Sequence, residues 1–310
     1  MKIVVQENVE LAPLTTFRIG GRARYFVEVA DVNTLREALV WARTQKQKFF
    51  ILAGGSNVLF SDRGFDGLVI KMAIDTIVID DTRVVAGAGA VLLDVIRAAA
   101  TRGLGGWEKM AGIPGTIGGA VRGNAGAFGT EVKDILMKVT ALNTENGVMR
   151  TFTKDECVFG YRQSFFKAHA EWVIVEAVFA LTRTEPSVVH AACTATIAER
   201  EKRHLQNVRA AGSFFMNPQA PEHVQKQFEH DKGVHSRDGR VPAGWLIEEV
   251  GLRGKEIGGA QSSLQHPNYI INKTGHATAE EVIMLASMIK MRVRDHMHVQ
   301  LHEEVTIVDV

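Results

Sequence analysis

Apolar and polar residues alternate along RARYFVEVA (22–30), which predicts a strand with one buried face. Asp31 and Asn33 follow as candidate N-caps, and the apolar spacing of TLREALVWARTQ then takes the helical period. KFFIL (48–52) predicts a buried strand that runs into AGGSN and completes a βαβ unit. GLVIKM, TIVID and RVVAGAG predict short strands with tight turns, one of them the DDT turn at 80–82. VLLDVIRAAATRG predicts a helix ending near Gly103, and DILMKVTALN, VMRTFT and WVIVEAVFAL predict three further strands. Strand pairs mixed with helices in this way point to an α+β fold.

Beyond residue 185 the pattern changes. SVVHAACTATIAEREKRHLQ (187–206) predicts a long helix whose charged last third suits a connector between domains. The stretch 217–243 is polar, holds three of the seven prolines and is expected to be an exposed excursion. Thr278 and Glu281 form a capping box opening a helix through VIMLASMIKMRVRDH, and EVTIV predicts a last strand. No tandem repeat or low-complexity tract interrupts the chain.

Composition narrows the class. Apolar residues are 46% and charged residues 23% of 310, as in ordinary globular proteins of two or three domains. The net charge of +1, without a basic face or tail, weighs against nucleic acid as a partner. Cys157 and Cys193 have no CxxC spacing, which argues against a disulfide scaffold or zinc ribbon and suits a reducing cytoplasm. The opening MKIVVQENVELAP reaches Glu7 and Glu10 before any long apolar run, unlike a signal peptide. No stretch approaches the roughly 18 unbroken apolar residues of a membrane span. A soluble cytoplasmic protein without membrane insertion is expected.

The chemistry concentrates in glycine. GIPGTIGGAVRGNAGAFG (112–129) holds seven glycines in eighteen residues, and AGGSN (53–57) is a second glycine turn. Neither GxGxxG after a strand nor GxxxxGK[ST] is present. Successive backbone N–H groups in such turns form anion-binding concavities, and without Cβ atoms they can approach a pyrophosphate. Ser56 and Asn57 add side-chain hydrogen-bonding groups. A neutral cradle of this kind suits a large cofactor held by many backbone bonds.

AGGSNVLFSDRGFDGLVI followed by GIPGTIGGAVRGNAGAFGTEVKD resembles the FAD-binding fold of the vanillyl-alcohol-oxidase and p-cresol-methylhydroxylase type. LTTFRIGG (14–21), YRQSFF (161–166), AGSFFMNP (211–218), AGWLIEEVGLRG (243–254), IGGAQSSLQHPNYIIN (257–272) and LHEEV (301–305) occur in the order of the UDP-N-acetylenolpyruvoylglucosamine reductase family. The resemblance runs from about residue 10 to 306, and the chain length is similar to the family's shorter layout. It implies an FAD-binding domain over 1–185, in two subdomains divided near residue 72, and an α+β substrate-binding domain over 186–302. The final strand, 303–310, is expected to return to the first domain.

The resemblance also implies a reaction. NADPH reduces a non-covalently held FAD, and the flavin then reduces the enolpyruvyl ether of a UDP-sugar for peptidoglycan synthesis. Arg162 is implied to hold the substrate carboxylate, Ser213 to donate a proton, and Glu304, rather than Glu303, to hydrogen-bond the developing enediolate or help protonate it. Tyr161, Asn217 and His266 match substrate-side positions. The implied cofactor contacts are Ala53, Gly54, Gly55, Ser56 and Asn57 in the first turn. In the second they are Gly112, Ile113, Pro114, Gly115, Thr116, Gly118, Gly119, Asn124, Ala125 and Gly126. One position departs: Met216 stands where the family usually has lysine, leaving Arg122 or another base to substitute.

Two rivals share parts of this pattern. An oxygen-using flavin oxidase on the same fold often tethers its flavin through a histidine or cysteine near the first glycine loop, and residues 47–72 contain neither. A non-catalytic flavin- or sugar-nucleotide-binding protein would be consistent with the lost lysine, although the catalytic trio is intact. The cluster His296, His298 and His302 invites a metal, but an HxH at a helix end does not put both rings on one face, so no metal is expected.

Overall fold

The structure is a computed structural model and describes residues 3–203 and 208–309. The described residues divide into two compact units. The first comprises residues up to Val9, 23–54 and 66–202, and the second comprises 10–22, 55–65 and those from Arg203 onward.

In the first unit, a four-stranded sheet runs in the order Gln6–Glu10, Arg22–Val29, Phe65–Met72, Phe49–Leu52. The expected βαβ pair is therefore not adjacent, because Phe65–Met72 lies between its strands and pairs in parallel with Phe49–Leu52. The crossover helix Val32–Thr44 starts at Asp31, whose carboxylate accepts from the Thr34 backbone N–H at 2.8 Å. Leu35, Ala38, Leu39 and Ala42 give it one buried stripe at i, i+3, i+4 and i+7. A second sheet is antiparallel throughout, in the order Met149–Thr153, Leu136–Asn143, Trp172–Ala180, Arg83–Gly87, Ile77–Asp80. The helix Leu92–Thr101 buries Leu92, Val95, Ile96, Ala99 and Ala100 in the same core.

The second unit is assembled from three separate stretches of chain around its own core, which includes Phe17, Leu59, Phe214, Phe215, Leu246 and Leu285. A small antiparallel sheet of Glu256–Ile257, Ala260–Ser262 and Ile270–Asn272 packs with the helix Ala279–Met297. Thr278 and Glu281 cap that helix reciprocally, at 3.1 and 3.0 Å, and the Glu281 carboxylate also accepts from Gly259 N–H at 3.0 Å.

Three expectations need correction. The helix expected over 187–206 is Pro186–Lys202, and 204–206 lie outside the described residues. It does not open the second domain: Val189 and Cys193 are buried in the first core, so the division follows residue 202 rather than 185. The last strand, Thr306–Val308, does return to the span 1–185, pairing in parallel with Val58–Phe60, a segment that groups with it in the second unit. The stretch 217–243 is no mere excursion. It contains the helix Glu222–Lys232, which buries Val224 and Phe228, the latter edge-on to Trp245 at 5.4 Å.

Removing the Thr278 hydroxyl unpairs one N–H of the longest helix. Thr278→Ala is expected to lower unfolding free energy by about 1 kcal/mol in urea titration. An unchanged midpoint would mean that Glu281 holds the helix start alone.

Candidate functional site

The glycine segment of the first unit answers two separate demands. At Gly54, a methyl group would lie 2.6 Å from the Cα of Gly115, so the two glycine-rich turns touch backbone to backbone. At Gly118 it would meet Ala88 Cβ at 2.9 Å. These glycines are required by the protein's own packing. Gly119 differs: a Cβ there would meet only Ala53 Cβ at 3.7 Å and Thr116 Oγ1 at 4.0 Å. The Thr116 hydroxyl is buried without a hydrogen-bond partner among the described residues. An unsatisfied buried hydroxyl is costly unless something else supplies a partner. Ala53, Thr116 and Gly119 thus converge on a place with room and an unmet polar group.

The turn is held from outside by residues the sequence reading did not single out. Lys71 Nζ donates to the Ala53 carbonyl, and burial pushes its ammonium below the ordinary lysine pKa, opposed by the Glu28 carboxylate. A lysine inside the apolar run GLVIKM was the available signal. Arg200, buried on the helix Pro186–Lys202, donates from Nε to the Gly112 carbonyl at 3.0 Å. Gly112 and Gly115 have φ of 85° and 119°, while the backbones of Ile113, Ile117 and Gly118 bond to Met110, Ala90 and Ala88.

Asn124 is fully buried. Its amide donates to Glu131 Oε2 at 3.0 Å and the Gly160 carbonyl at 2.9 Å, and its oxygen accepts from Lys133 N–H at 3.0 Å. The side chain implied to hold cofactor is therefore committed to tying the glycine segment to the loop that carries Tyr161 and Arg162. Arg162 Nη2 donates to the Gly126 carbonyl at 3.1 Å, and Ser164 Oγ donates to the Arg122 carbonyl at 2.7 Å. Arg162 also lies 5.2 Å from the centre of the Tyr161 ring. The loop is strained: Arg162 has φ 55° and Val158 has φ 43°, a left-handed conformation that β-branched residues strongly disfavour. Such strain gathers where a loop must fix a functional side chain.

The second unit carries the other two catalytic candidates. Residues 214–216 run antiparallel to 302–304, with Glu304 N–H donating to the Phe214 carbonyl at 2.8 Å and Met216 N–H to the His302 carbonyl at 2.9 Å. Ser213, half-buried, precedes this ladder. Asn268, buried and unassigned by the sequence reading, accepts from Phe215 N–H at 2.9 Å, donates to its carbonyl at 2.8 Å and accepts Phe214 N–H on its own carbonyl at 2.7 Å. Its signal was its position within the HPNYIIN motif. Asn57 Nδ2 donates to the Glu304 carbonyl at 3.1 Å, joining the end of the first glycine turn to this ladder. Glu303 is engaged elsewhere, 2.8 Å from Lys290 Nζ.

Of the substrate-side candidates, Asn217 accepts Ala243 N–H on its side-chain oxygen at 3.0 Å, fixing AGSFFMNP against the following helix. His266 lies 4.8 Å from the Tyr269 ring, edge-on. Among the described residues, no group of three or more His, Cys, Asp or Glu side chains could hold a metal ion, and no helix is long and apolar enough to cross a membrane.

Similarity to known proteins follows the same division. Residues 203–308 match the UDP-N-acetylenolpyruvoylglucosamine reductase C-terminal domain, and residues 23–153 match an FAD binding domain. The reductase of that name from Solibacter usitatus is 36% identical over 307 residues, covering 99% of this chain and 97% of the relative. The chain belongs to the UDP-N-acetylenolpyruvoylglucosamine reductase family. A second reductase, from a Synechococcus strain, is 37% identical over 98% of this chain and 91% of its own. The solved reductase from Thermus caldophilus superposes with a TM-score of 0.78 at 28% identity, over 99% of both chains. FAD is the family's cofactor, and the unmet Thr116 hydroxyl and the space at Gly119 fit it.

The reductase loop carrying Arg162 depends on Asn124. Asn124→Ala removes three hydrogen bonds made by a fully buried side chain, and is expected to cost at least about 2 kcal/mol of unfolding free energy in urea. A loss under about 0.5 kcal/mol would show that water or neighbouring groups take over these bonds.

Proposed function

We propose that the chain reduces the enolpyruvyl ether of UDP-N-acetylglucosamine to UDP-N-acetylmuramate for peptidoglycan synthesis, drawing electrons from NADPH. The supporting observation is the ladder of 214–216 with 302–304, which holds the Ser213 and Glu304 segments in fixed register within a full-length member of the family. When bound, FAD would supply the two-electron chemistry that links NADPH to the vinyl group of the substrate.

The chain's own residues handle the charge. Hydride addition leaves negative charge on the internal carbon, spread into the substrate carboxylate. Arg162 grips that carboxylate: a guanidinium stays charged and offers paired donors. Its loop is fixed by Asn124 and Ser164, so little reorganisation accompanies the charge build-up. Ser213 gives its hydroxyl proton to the internal carbon and is reprotonated from solvent. Serine is a weak acid, but the enolate it meets is a strong base. Glu304 hydrogen-bonds the developing enediolate or helps protonate it. The engagement of Glu303 with Lys290 favours Glu304 for this role. Tyr161, Asn217 and His266 contact the sugar nucleotide. The buried free thiols Cys157 and Cys193 suit a reducing cytoplasmic setting.

FAD is held without a covalent bond, since 47–72 offers no histidine or cysteine. Acid precipitation of the yellow protein is expected to release the colour to the supernatant; colour retained by the pellet would refute a dissociable flavin. Met216→Lys is expected to tighten NADPH or sugar-nucleotide binding roughly ten-fold, as a charge-assisted hydrogen bond would, with little change in the chemical step. Unchanged affinity would show that another group supplies that charge.

The proton-donor role divides the two half-reactions. In rapid-mixing absorbance, Ser213→Ala is expected to leave flavin reduction by NADPH near normal. Reoxidation by the enolpyruvyl substrate should slow at least about a hundred-fold, the scale of general acid catalysis. Equal slowing of both halves would make Ser213 a structural residue. Fast reoxidation by oxygen instead of substrate would favour an oxidase.

A further inference from the structure

The segment after Ser213 has two edges, and they are served differently. Backbone groups of successive residues in an extended segment point to opposite sides. The Phe214 carbonyl and the Met216 N–H face 302–304, where they bond to the Glu304 N–H and the His302 carbonyl at 2.8 and 2.9 Å. The Phe215 N–H and carbonyl face the other way. Phe215 is 1% exposed, so these two groups need a partner from the protein. That partner is one side chain: Asn268 accepts from the N–H at 2.9 Å and donates to the carbonyl at 2.8 Å.

Asn268 also reaches one residue closer to Ser213. Its main-chain carbonyl accepts the Phe214 N–H at 2.7 Å, and that N–H belongs to the peptide group joining Ser213 to Phe214. The serine is thus anchored on its C-terminal side. On its N-terminal side Gly212 has a left-handed φ of 75°, and a methyl group there would meet nothing within 4 Å. Further upstream the Ala210 carbonyl accepts from Thr16 Oγ1 at 2.7 Å, three residues away from the serine.

Asn268 is itself held. It is 2% exposed, and the carbonyl of the preceding Pro267 accepts from Ser262 Oγ at 2.9 Å, on the buried strand Ala260–Ser262. The Tyr269 N–H bonds back to the His266 carbonyl at 2.8 Å, which closes the turn that presents the asparagine.

We propose that Asn268 is a positioning residue for Ser213: its amide and its main-chain carbonyl hold the 213–215 backbone so that the serine hydroxyl is placed for proton delivery. This rests on the proposed function for the role of Ser213. Asn268 acts through the backbone and takes no part in the proton transfer itself.

Asn268→Leu keeps the volume and leaves both Phe215 groups without this partner. Rapid-mixing absorbance reads the two half-reactions separately. Flavin reduction by NADPH, and the enolpyruvyl-substrate concentration that half-saturates reoxidation, are expected to stay within about two-fold of wild type. The limiting rate of reoxidation should fall about ten- to a hundred-fold, the scale of a displacement of about 1 Å at a reacting group. Added to Ser213→Ala, Asn268→Leu should slow reoxidation by no more than about a further two-fold, because a residue that acts through the serine then has nothing to place.

Asn268→Asp covers the case in which the leucine variant does not fold. A neutral carboxyl offers an acceptor and an O–H donor, as the amide does, whereas a carboxylate offers acceptors only. The ratio of its reoxidation rate to that of wild type should be highest at low pH and fall as the pH rises. The midpoint should lie above the ordinary aspartate range, because burial disfavours the charged form. Taking the ratio removes the titrations that wild type shares, those of His266 and Tyr269 in the same loop and of His302, Glu303 and Glu304 on the facing segment.

Equal slowing of both half-reactions would make Asn268 a structural residue only and overturn the proposal. So would wild-type reoxidation by a folded Asn268→Leu, an undiminished loss on top of Ser213→Ala, or a flat Asn268→Asp ratio from about pH 5.5 to about pH 9. Wild-type reoxidation by Ser213→Ala alone would refute the donor role of the serine and this placement with it, an outcome read without any Asn268 variant.

Discussion

Asn124 has both its amide and its carbonyl bonded inside the first unit, and the irregular backbone around the candidate chemistry depends on it. Glycine-rich loops have little side chain with which to hold themselves. Their backbone groups must still be satisfied where water is excluded. A fully buried asparagine supplies two donors and an acceptor on one rigid plane, and so can bond to three separate stretches at once. Here it joins the glycine segment to 131–133 and to the loop of Tyr161 and Arg162. The left-handed φ of 43° at Asn124 itself is one that asparagine tolerates better than most residues. The same type of solution appears in the second unit, where Asn268 bonds both polar groups of the Phe215 backbone. Both units thus fix their functional segments with a buried amide rather than with a regular helix or long strand.

Those clamps explain why strain can persist. Val158 and Arg162 sit in left-handed backbone within a few residues of each other. Such conformations survive only where the surroundings over-determine them. Around 157–164 the determinants are the Asn124 bond to Gly160, the Ser164 bond to Arg122, the Lys167 ammonium on the Arg162 carbonyl at 2.9 Å and the burial of Cys157 and Phe166. These contacts fix the backbone that carries Arg162, while its guanidinium donates to the Gly126 carbonyl and lies against the Tyr161 ring. Positioning of that kind costs no reorganisation when charge develops on a ligand.

The regular elements were legible because periodicity reports burial on one face. RARYFVEVA alternates and becomes Arg22–Val29; the helix after Asp31 buries every residue of its apolar stripe. What failed were inferences that needed three-dimensional neighbours. The helix Glu222–Lys232 was hidden because only Val224 and Phe228, one turn apart, carry its apolar contact amid charged residues. The division into units was misjudged because the second is stitched from residues 10–22, 55–65 and the C-terminal part of the chain, a grouping with no signature in composition. The short motifs around Ser213, Arg162 and Glu304 were readable as patterns, whereas Lys71, Arg200 and Asn268 act through contacts to backbone carbonyls and N–H groups that sequence alone does not locate. The glycines divided in the same way. Their abundance was plain, but only coordinates separate Gly54 and Gly118, which the protein's own backbone requires, from Gly119, which it leaves with room.

Lys71 brings these points together. It is a cation desolvated by protein at a glycine turn, and burial lowers its pKa. It has found a carbonyl, that of Ala53, so its cost is offset within the chain and its contribution is to the shape of the turn. Folded domains have only a few kcal/mol to spare, so a half-buried cation is kept where the chain itself supplies the acceptor. The Thr116 hydroxyl is the opposite case, a buried polar group to which the described residues give no partner and which FAD fits.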